Sequence, residues 1–225
     1  MRSDVKTVFF DLDGTLIDHF TCIYRCYEYA VGKMGLPPVS YDKVRATVGG
    51  SVRITMGKLV GVDRAEEGET LFRERFEEIM LEDLHPLPGV ESLLHQLHEQ
   101  GVQCAVFTNK HGPSSRKIMA HLGYDAYLKK TIGTYDTPWR KPEPEFSQYA
   151  LEQMDADPAT SIMIGDSPFD VLAGKAGGMR TYVVATGSHS VEELEANDPP
   201  TDGVFRDMVH LAEEVFGLAV EEVAG

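Results

Sequence analysis

Cysteine is scarce in this chain, which has only Cys22, Cys26 and Cys104. The number is odd and no spacing is typical of a zinc site, so neither a disulfide framework nor a zinc module is expected. Cys22 and Cys26 are four residues apart in a predicted helix and therefore share one face. We interpret all three as free thiols, buried or half-buried.

Positive charge is also scarce. Against 36 acidic residues there are 21 lysines and arginines, which leaves a formal net charge of −15. Nucleic acid and anionic membrane surfaces would repel such a chain, so we expect neither as a partner. A small anionic substrate is still compatible with this charge if a bound cation and a few local positive groups offset it.

Long apolar runs are absent, as are repeats and low-complexity tracts. No run approaches membrane-spanning length, and residues 1–10 lack the pattern of a signal peptide, so a cytoplasmic protein without membrane contact is expected. With 225 residues, 42% of them hydrophobic, the chain can bury a sizeable core. That length fits one core domain with an inserted subdomain.

The first strong motif follows a short apolar segment, Val5 to Phe10, that is typical of a buried strand. Asp11 and Asp13 come directly after it, followed by Gly14. Positions two apart in an extended segment point the same way, so both carboxylates can face one site at the carboxyl end of the strand. A simple Asp-Gly turn is the alternative interpretation of this motif taken alone.

From residue 86 onward, patterns typical of strands and of helices alternate regularly along the chain. Apolar segments near 102–107, 161–164 and 179–184, with a weaker one near 127–132, are separated by amphipathic helical patterns. This alternation predicts an α/β fold with a parallel sheet covered on both faces. Between the first strand and residue 86 the patterns are all helical, which indicates an insertion.

Polar residues follow the other strong strands as well. Thr108 and Asn109 come after the second, and Asp166 and Asp170 come after the fourth. The loop before the helix at 143–154 adds Lys141, placed between turn-forming residues. Helix caps, turns and a solvated lysine could each explain one of these groups alone. Their joint occurrence at one sheet edge favours a site.

The residue types indicate a chemistry. Several carboxylates at one point need a counter-ion, and an oxygen-rich set of ligands suits Mg²⁺. A hydroxyl, an amide and a lysine are donors for phosphate oxygens. One carboxylate can act as nucleophile and a second can transfer a proton. The set predicts Mg²⁺-dependent phosphoryl transfer.

These motifs together resemble the haloacid dehalogenase superfamily, in its phosphoglycolate phosphatase-like branch with a helical cap. The matching segments, in order, are Phe10 to Leu16, Thr108-Asn109, Lys141 to Pro144, and Gly165 to Asp170. The resemblance implies a Rossmann-like doubly wound parallel sheet with an inserted α-helical cap domain. The implied boundaries are 1–16 and 86–225 for the core and 17–85 for the cap.

The resemblance also implies roles for single residues. Asp11 would be the nucleophile that forms an aspartyl-phosphate, and Asp13 the acid and then the base, with its main-chain carbonyl on the metal. Asp11 and Asp166 would bind Mg²⁺, and Asp170 would either bind it through water or orient Lys141. Lys141 would neutralise charge on Asp11 and the phosphate.

Substrate binding is implied at two places. Thr108, the backbone of Asn109, and Lys141 would hold the phosphoryl group. In the cap, Gly49 and Gly50 permit close approach of the backbone to a ligand, and Arg53 could pair with a second anionic group. A solvated helix arginine is the alternative for Arg53. The expected partner is a small phosphorylated metabolite, and the expected state is a monomer or a homodimer.

Two alternatives to a phosphatase stay open at this point. A sugar-phosphate mutase of this superfamily carries a histidine about twelve residues beyond the nucleophile, where this chain has Ile23; His19 comes earlier. A non-catalytic phosphate-binding module on the same fold is the other alternative. It would be favoured by loss of the acidic residues or the lysine, and none is lost.

Overall fold

The computed structural model describes residues 4–221. A six-stranded sheet lies at its centre, with strand order β5-β4-β1-β6-β7-β8. All the pairings in this sheet are parallel. Its strands are β1 Thr7–Phe10, β4 Gln103–His111, β5 Leu128–Thr134, β6 Ser161–Gly165, β7 Arg180–Val184 and β8 Gly203–Phe205.

Strand β1 occupies the middle of the sheet. Phe10 is paired with Val106 on one side and with Ile164 on the other. Every residue of β1 is buried, as its continuous apolar pattern predicts for a parallel sheet. Because the strands are parallel, the segments that follow β1, β4 and β6 emerge at one edge.

Helices cover both faces of the sheet. Val8 and Phe10 of β1 belong to one apolar cluster with Leu93 and Ile118, whereas Phe9 belongs to a second cluster on the other face. The doubly wound α/β sheet is confirmed. The helices outside the insertion are α5 Val90–Glu99, α6 Gly112–His121, α7 Pro144–Met154, α8 Pro168–Ala176, α9 Val191–Glu195 and α10 Met208–Leu211, which a π-helical turn Ala212–Phe216 extends.

The helical insertion, residues 19–84, begins and ends at a pair of two-residue strands. Strand β2 (Ile17–Asp18) runs antiparallel to β3 (His85–Pro86). Between them lie α1 Phe20–Lys33, α2 Tyr41–Arg45, α3 Val52–Val60 and α4 Ala65–Ile79. The pairing brings the two ends of the insertion together over the sheet. The domain division at 17–85 stays a prediction, and the outermost parts of the predicted core, 1–3 and 222–225, lie outside the described residues.

The insertion has its own packing. Helix α4 packs against α1 through Tyr27 and Phe72, whose ring centroids are 4.6 Å apart. It approaches α3 at Gly68, where a Cβ atom would lie 2.5 Å from Met56 Cγ. Gly68 therefore allows α3 and α4 to touch.

Three local features were not predicted. Asp18 lies in β2, and His19 takes the N-cap position of α1 while Asp18 Oδ1 accepts from Phe20 N. Strand β4 continues through Thr108 and Asn109 to His111. Helix α9 was not predicted; a capping box between Ser190 and Glu193 stabilises it.

Two smaller expectations concern cysteines and membranes. The three cysteines are free and buried, as predicted. Among the helices of residues 4–221, none combines the length and the apolar character needed to cross a membrane.

Candidate active site

Lys141 lies at the centre of the sheet edge between two carboxylates. Its Nζ donates to Asp11 Oδ1 at 2.8 Å, to Asp170 Oδ1 at 2.5 Å and to the carbonyl of Phe107 at 2.9 Å. Only 2% of its side chain is exposed. The loop after β5 therefore delivers one buried cation to the acids that follow β1 and β6.

Burial is the largest influence on the pKa values of Asp11 and Lys141. Loss of water raises the pKa of Asp11 from 3.8 to about 6, even though the charge of Lys141 opposes the rise. Burial alone would lower the pKa of Lys141, but Asp11 and Asp170 outweigh it and the pKa is raised. The positive charge of one lysine therefore does not fully compensate the negative charges of the carboxylates around it.

Asp166 adds a third buried carboxylate. Ligand oxygens of Asp11, Asp166 and Asp170 all lie within 4.8 Å of one another. Burial, and then the charges of Asp170 and Asp11, raise the pKa of Asp166 well above its usual value. The hydroxyl of Thr15 donates to Asp166 Oδ1 at 3.4 Å. A buried carboxylate with so little compensation fits a cation ligand.

Asp170 is fixed by two sets of donors. Its Oδ1 faces Lys141, while its Oδ2 accepts from the backbone of Asp166 and from the backbone and hydroxyl of Ser167 at 2.6–3.2 Å. The bond from Ser167 N is part of the capping box of α8. Of the two roles predicted for Asp170, this arrangement favours the orientation of Lys141. The oxygens of Asp170 nevertheless lie within the acidic cluster.

Asp13 faces the same cavity with a partner that the sequence did not suggest. Lys110 Nζ donates to both carboxylate oxygens of Asp13 at 2.9 Å. His19, fully buried, places Nδ1 3.8 Å from Asp13 Oδ1 and 3.4 Å from Lys110 Nζ. His19 comes earlier in the chain than the histidine position of the mutases, and no contact with the site was predicted for it; the β2 turn brings it beside Asp13.

Thr108 and Asn109 are both buried and line the cavity. The side chain of Asn109 links three segments: Oδ1 accepts from Lys141 N at 2.8 Å, and Nδ2 donates to the carbonyls of Lys141 and Gly49. Asn109 thereby fixes the Lys141 loop and joins the sheet edge to the insertion.

A cavity of about 70 Å³ lies between this sheet edge and the insertion. Asp11, Asp13, Asp166, Thr108 and Asn109 line it from the sheet, as predicted from the strand ends. The insertion supplies the opposite wall, and this wall includes Gly49 and Gly50. The structure therefore brings these five core residues and the glycine loop to one space, whereas Lys141 and Asp170 do not line it.

The predicted role of Arg53 needs correction. Its side chain is 52% exposed and pairs with Glu66 at 2.5 Å. Val52 and Thr55 line the cavity from the same helix, whereas Arg53 does not. One residue along a helix is a turn of about 100°, which directs Arg53 away from the site. It behaves as the solvated helix arginine that was the alternative.

The geometry at this edge is that of an α/β enzyme with an acidic, lysine-containing site. Residues 8–184 match the sequence profile of the haloacid dehalogenase-like hydrolases. The chain belongs to this family. The predicted family and the prediction of a hydrolase are confirmed.

Curated relatives carry the resemblance further. The chain is 29% identical over 208 residues to a phosphoglycolate phosphatase of Vibrio parahaemolyticus, with 88% of this chain and 91% of the relative covered. It is 30% identical over 183 residues to a phosphoglycolate phosphatase of Aquifex aeolicus, with 81% and 86% covered. The predicted likeness to phosphoglycolate phosphatases is confirmed.

A solved structure agrees in fold. A haloacid dehalogenase-like family hydrolase from Streptococcus pneumoniae superimposes with a TM-score of 0.85, at 19% identity, and covers 96% of this chain and 100% of that one. At this identity the likeness concerns the fold alone. It supports the sheet and the helical insertion as one recurrent architecture.

Proposed function

We propose that the protein is a Mg²⁺-dependent phosphatase that hydrolyses a small phosphate monoester through an aspartyl-phosphate on Asp11. The observation that carries this proposal is the placement of Asp11 beside buried Lys141 and within the cluster that contains Asp166. Relatives named phosphoglycolate phosphatase support the substrate class.

The first step forms the covalent intermediate. A carboxylate oxygen of Asp11 attacks phosphorus, and the bond from phosphorus to the leaving oxygen breaks. Asp13 supplies a proton to that oxygen, which leaves as an alcohol. Lys141 holds the other oxygen of Asp11 and offsets charge, while Thr108 and the backbone of Asn109, which line the cavity, would donate to the phosphoryl oxygens.

The second step releases phosphate. Asp13, now ionised, takes a proton from water as the water oxygen attacks phosphorus, and the bond to Asp11 breaks. Lys110, which donates to both oxygens of Asp13, holds that carboxylate in place. The insertion forms the opposite wall of the cavity and would limit the entry of other water.

The metal would be held by Asp11, Asp166 and the main-chain carbonyl of Asp13, with Asp170 behind them. Mg²⁺ bound there supplies positive charge to the phosphoryl oxygens and to the buried acids. These oxygen donors fit a divalent cation, because the three carboxylates of the cluster carry more negative charge than Lys141 can compensate.

A sugar-phosphate mutase is the second candidate, and His19 is the observation that favours it. In the sugar-phosphate mutases of this superfamily, a histidine follows the nucleophile by about twelve residues, and His19 approaches the proton-transfer acid from an earlier position. Isomerisation of a hexose 1-phosphate without net release of phosphate would favour this candidate. The predictions of a cytoplasmic location and of a monomer or homodimer stay predictions.

The test is a release assay for inorganic phosphate with Mg²⁺, on a panel that contains 4-nitrophenyl phosphate, phosphoglycolate and a hexose 1-phosphate. We expect hydrolysis that EDTA stops. Asp11→Asn should abolish it, because an amide is not a nucleophile here. Asp63→Asn, on an exposed aspartate, is the matched control and should be fully active. Normal turnover by Asp11→Asn would refute the proposal.

A further inference from the structure

The insertion contributes an apolar wall to the cavity. We call this wall the leaving-group lobe, because it faces the acids that would handle the phosphoryl group. The lobe consists of Phe20, Ile23, Tyr27, Val48, Val52, Phe72 and Phe76. Phe20, Ile23, Tyr27, Phe72 and Phe76 are all at most 5% exposed.

Arg73 is the cation that α4 adds to the cavity wall, and its charge is already compensated. Its Nε and Nη2 donate to Glu69 Oε1 at 3.1 and 2.7 Å. Its guanidinium lies 4.4 Å from the ring centroid of Tyr135, whose hydroxyl donates to the same Glu69 oxygen at 2.8 Å. Glu69 is itself buried. A substrate carboxylate would have to compete with Glu69 for this guanidinium.

The other basic groups that line the cavity are also engaged. Lys110 donates to both oxygens of Asp13. His111 Nδ1 is hydrogen-bonded to the hydroxyl of Ser114. Burial lowers the pKa of His111, which favours the neutral ring. Among residues 4–221, the basic side chains that line this cavity therefore each have a partner already.

Hydroxyl groups of a substrate would also find few partners in the lobe. Thr55 is a polar residue beside it, and its hydroxyl donates to the carbonyl of Thr47 at 3.2 Å. The hydroxyl of Tyr27, the polar group of the lobe itself, is hydrogen-bonded to Thr55. A polar group that enters an apolar space without hydrogen bonds loses its hydration at a cost. A sugar, with a hydroxyl on most carbons, fits this wall less well than a hydrocarbon.

We infer that the leaving group of the substrate is compact, uncharged and apolar, such as a branched aliphatic or small aromatic alcohol. The inference rests on the proposed phosphatase function and specifies its substrate class. An apolar leaving group would bury its surface against the aromatic rings and Ile23. A carboxylate in the same place would remain uncompensated.

Two phosphate esters of equal size test this preference. Isobutyl phosphate and phosphoglycolate have the same number of heavy atoms, and they differ in an isopropyl group against a carboxylate. We expect kcat/KM for isobutyl phosphate to exceed that for phosphoglycolate by at least about tenfold. The alkoxide of isobutanol is the poorer leaving group, so intrinsic reactivity works against this result.

A variant tests the stated cause. Glu69→Gln removes the charge that compensates Arg73 but keeps an oxygen that can accept from Arg73 and Tyr135. The ratio of kcat/KM should move toward phosphoglycolate by about tenfold. Glu67→Gln is the matched control, because Glu67 pairs with Arg64 at the start of the same helix and does not line the cavity. Its ratio should stay that of the unaltered enzyme.

The outcomes separate the two proposals. If 4-nitrophenyl phosphate is hydrolysed but phosphoglycolate equals or exceeds isobutyl phosphate, the leaving-group inference is wrong and the phosphatase stands. If no ester on the panel is hydrolysed with Mg²⁺, the phosphatase proposal fails and the inference fails with it. A tenfold preference for isobutyl phosphate that Glu69→Gln reduces and Glu67→Gln leaves intact supports the inference.

Discussion

Lys141 Nζ lies 2.8 Å from Asp11 Oδ1, and the two side chains come from loops 130 residues apart in the chain. Lys141 is buried and Asp11 is mostly buried, with 13% of its side chain exposed, at the carboxyl edge of the sheet, where Asp170 also contacts the lysine. One cation therefore serves two carboxylates. Removal of that cation would leave both acids without their main compensation.

Lys141→Met should abolish most activity and reduce stability. We expect kcat/KM to fall at least about 100-fold, since a buried donor next to the developing charge is lost. The free energy of unfolding without metal should fall by about 3 kcal/mol, because two buried carboxylates lose their partner. Phosphate release and urea unfolding in EDTA measure the two effects. Lys43→Met, on an exposed lysine, should change neither, and activity within threefold of the original in Lys141→Met would contradict the assigned role.

Asp166→Asn should stabilise the metal-free protein and remove its response to Mg²⁺. In the native state burial raises the pKa of Asp166, and that of Asp11 to about 6. Because the native state then holds protons more tightly than the unfolded state, each group destabilises the protein above its native pKa. For Asp11, that destabilisation is relieved as the pH falls from about 6 toward 4.

The measurement is the unfolding temperature in EDTA and in Mg²⁺, at pH 7 and at pH 5. We expect Mg²⁺ to stabilise the unaltered protein more at pH 7, because metal and protons compete for the same oxygens. Asp125→Asn, on an exposed aspartate, is the control and should keep this response. An undiminished effect of Mg²⁺ in Asp166→Asn would rule Asp166 out as a metal ligand.

Comparison of Gly14→Ala with Gly35→Ala distinguishes the loss of stability from backbone strain from the loss of activity by distortion of the site. Both glycines have left-handed backbones, with φ of +84° and +69°, so the backbone strain should cost about 1 kcal/mol of stability in each variant. A Cβ at Gly14 would also lie 2.8 Å from Asp166 Oδ2 and 2.9 Å from Gly187 Cα, so Gly14→Ala should cost more; within the described part of the chain, a Cβ at Gly35 would meet no atom beyond its chain neighbours within 4 Å. Gly14→Ala should therefore lose activity in the phosphate release assay, and Gly35→Ala should keep it. Equal activity of the two variants would contradict this difference.

The strand ends were predictable from sequence because the sheet is parallel. Continuous apolar segments indicate buried strands, and topology then requires that Asp11, Thr108 and Asp166 emerge at one edge. Lys141 lies in a loop, and its inclusion came from residue type and family resemblance. Its contact with Asp11 and Asp170 follows only from the path of that loop after β5.

Lys110 was missed because β4 was expected to end at residue 107. The strand continues to His111, and Lys110 lines the cavity together with Thr108 and Asn109. Recognition of the longer strand would have identified Lys110. His19 reaches Asp13 through the short β2–β3 pair, which is too brief to leave a periodic signal. The orientation of Arg53 depends on the rotation of α3, which residue type alone does not define.

The most direct test of the covalent mechanism is to trap the phosphoryl group on Asp11. Asp13→Asn keeps the nucleophile but lacks the base for the second step, and 4-nitrophenyl phosphate needs little help from an acid to leave. After rapid acid quench and mass spectrometry of peptides, we expect one phosphoryl group on the peptide that contains Asp11. Release of 4-nitrophenol by this variant with no phosphorylated peptide, or with the group on another residue, would contradict the mechanism.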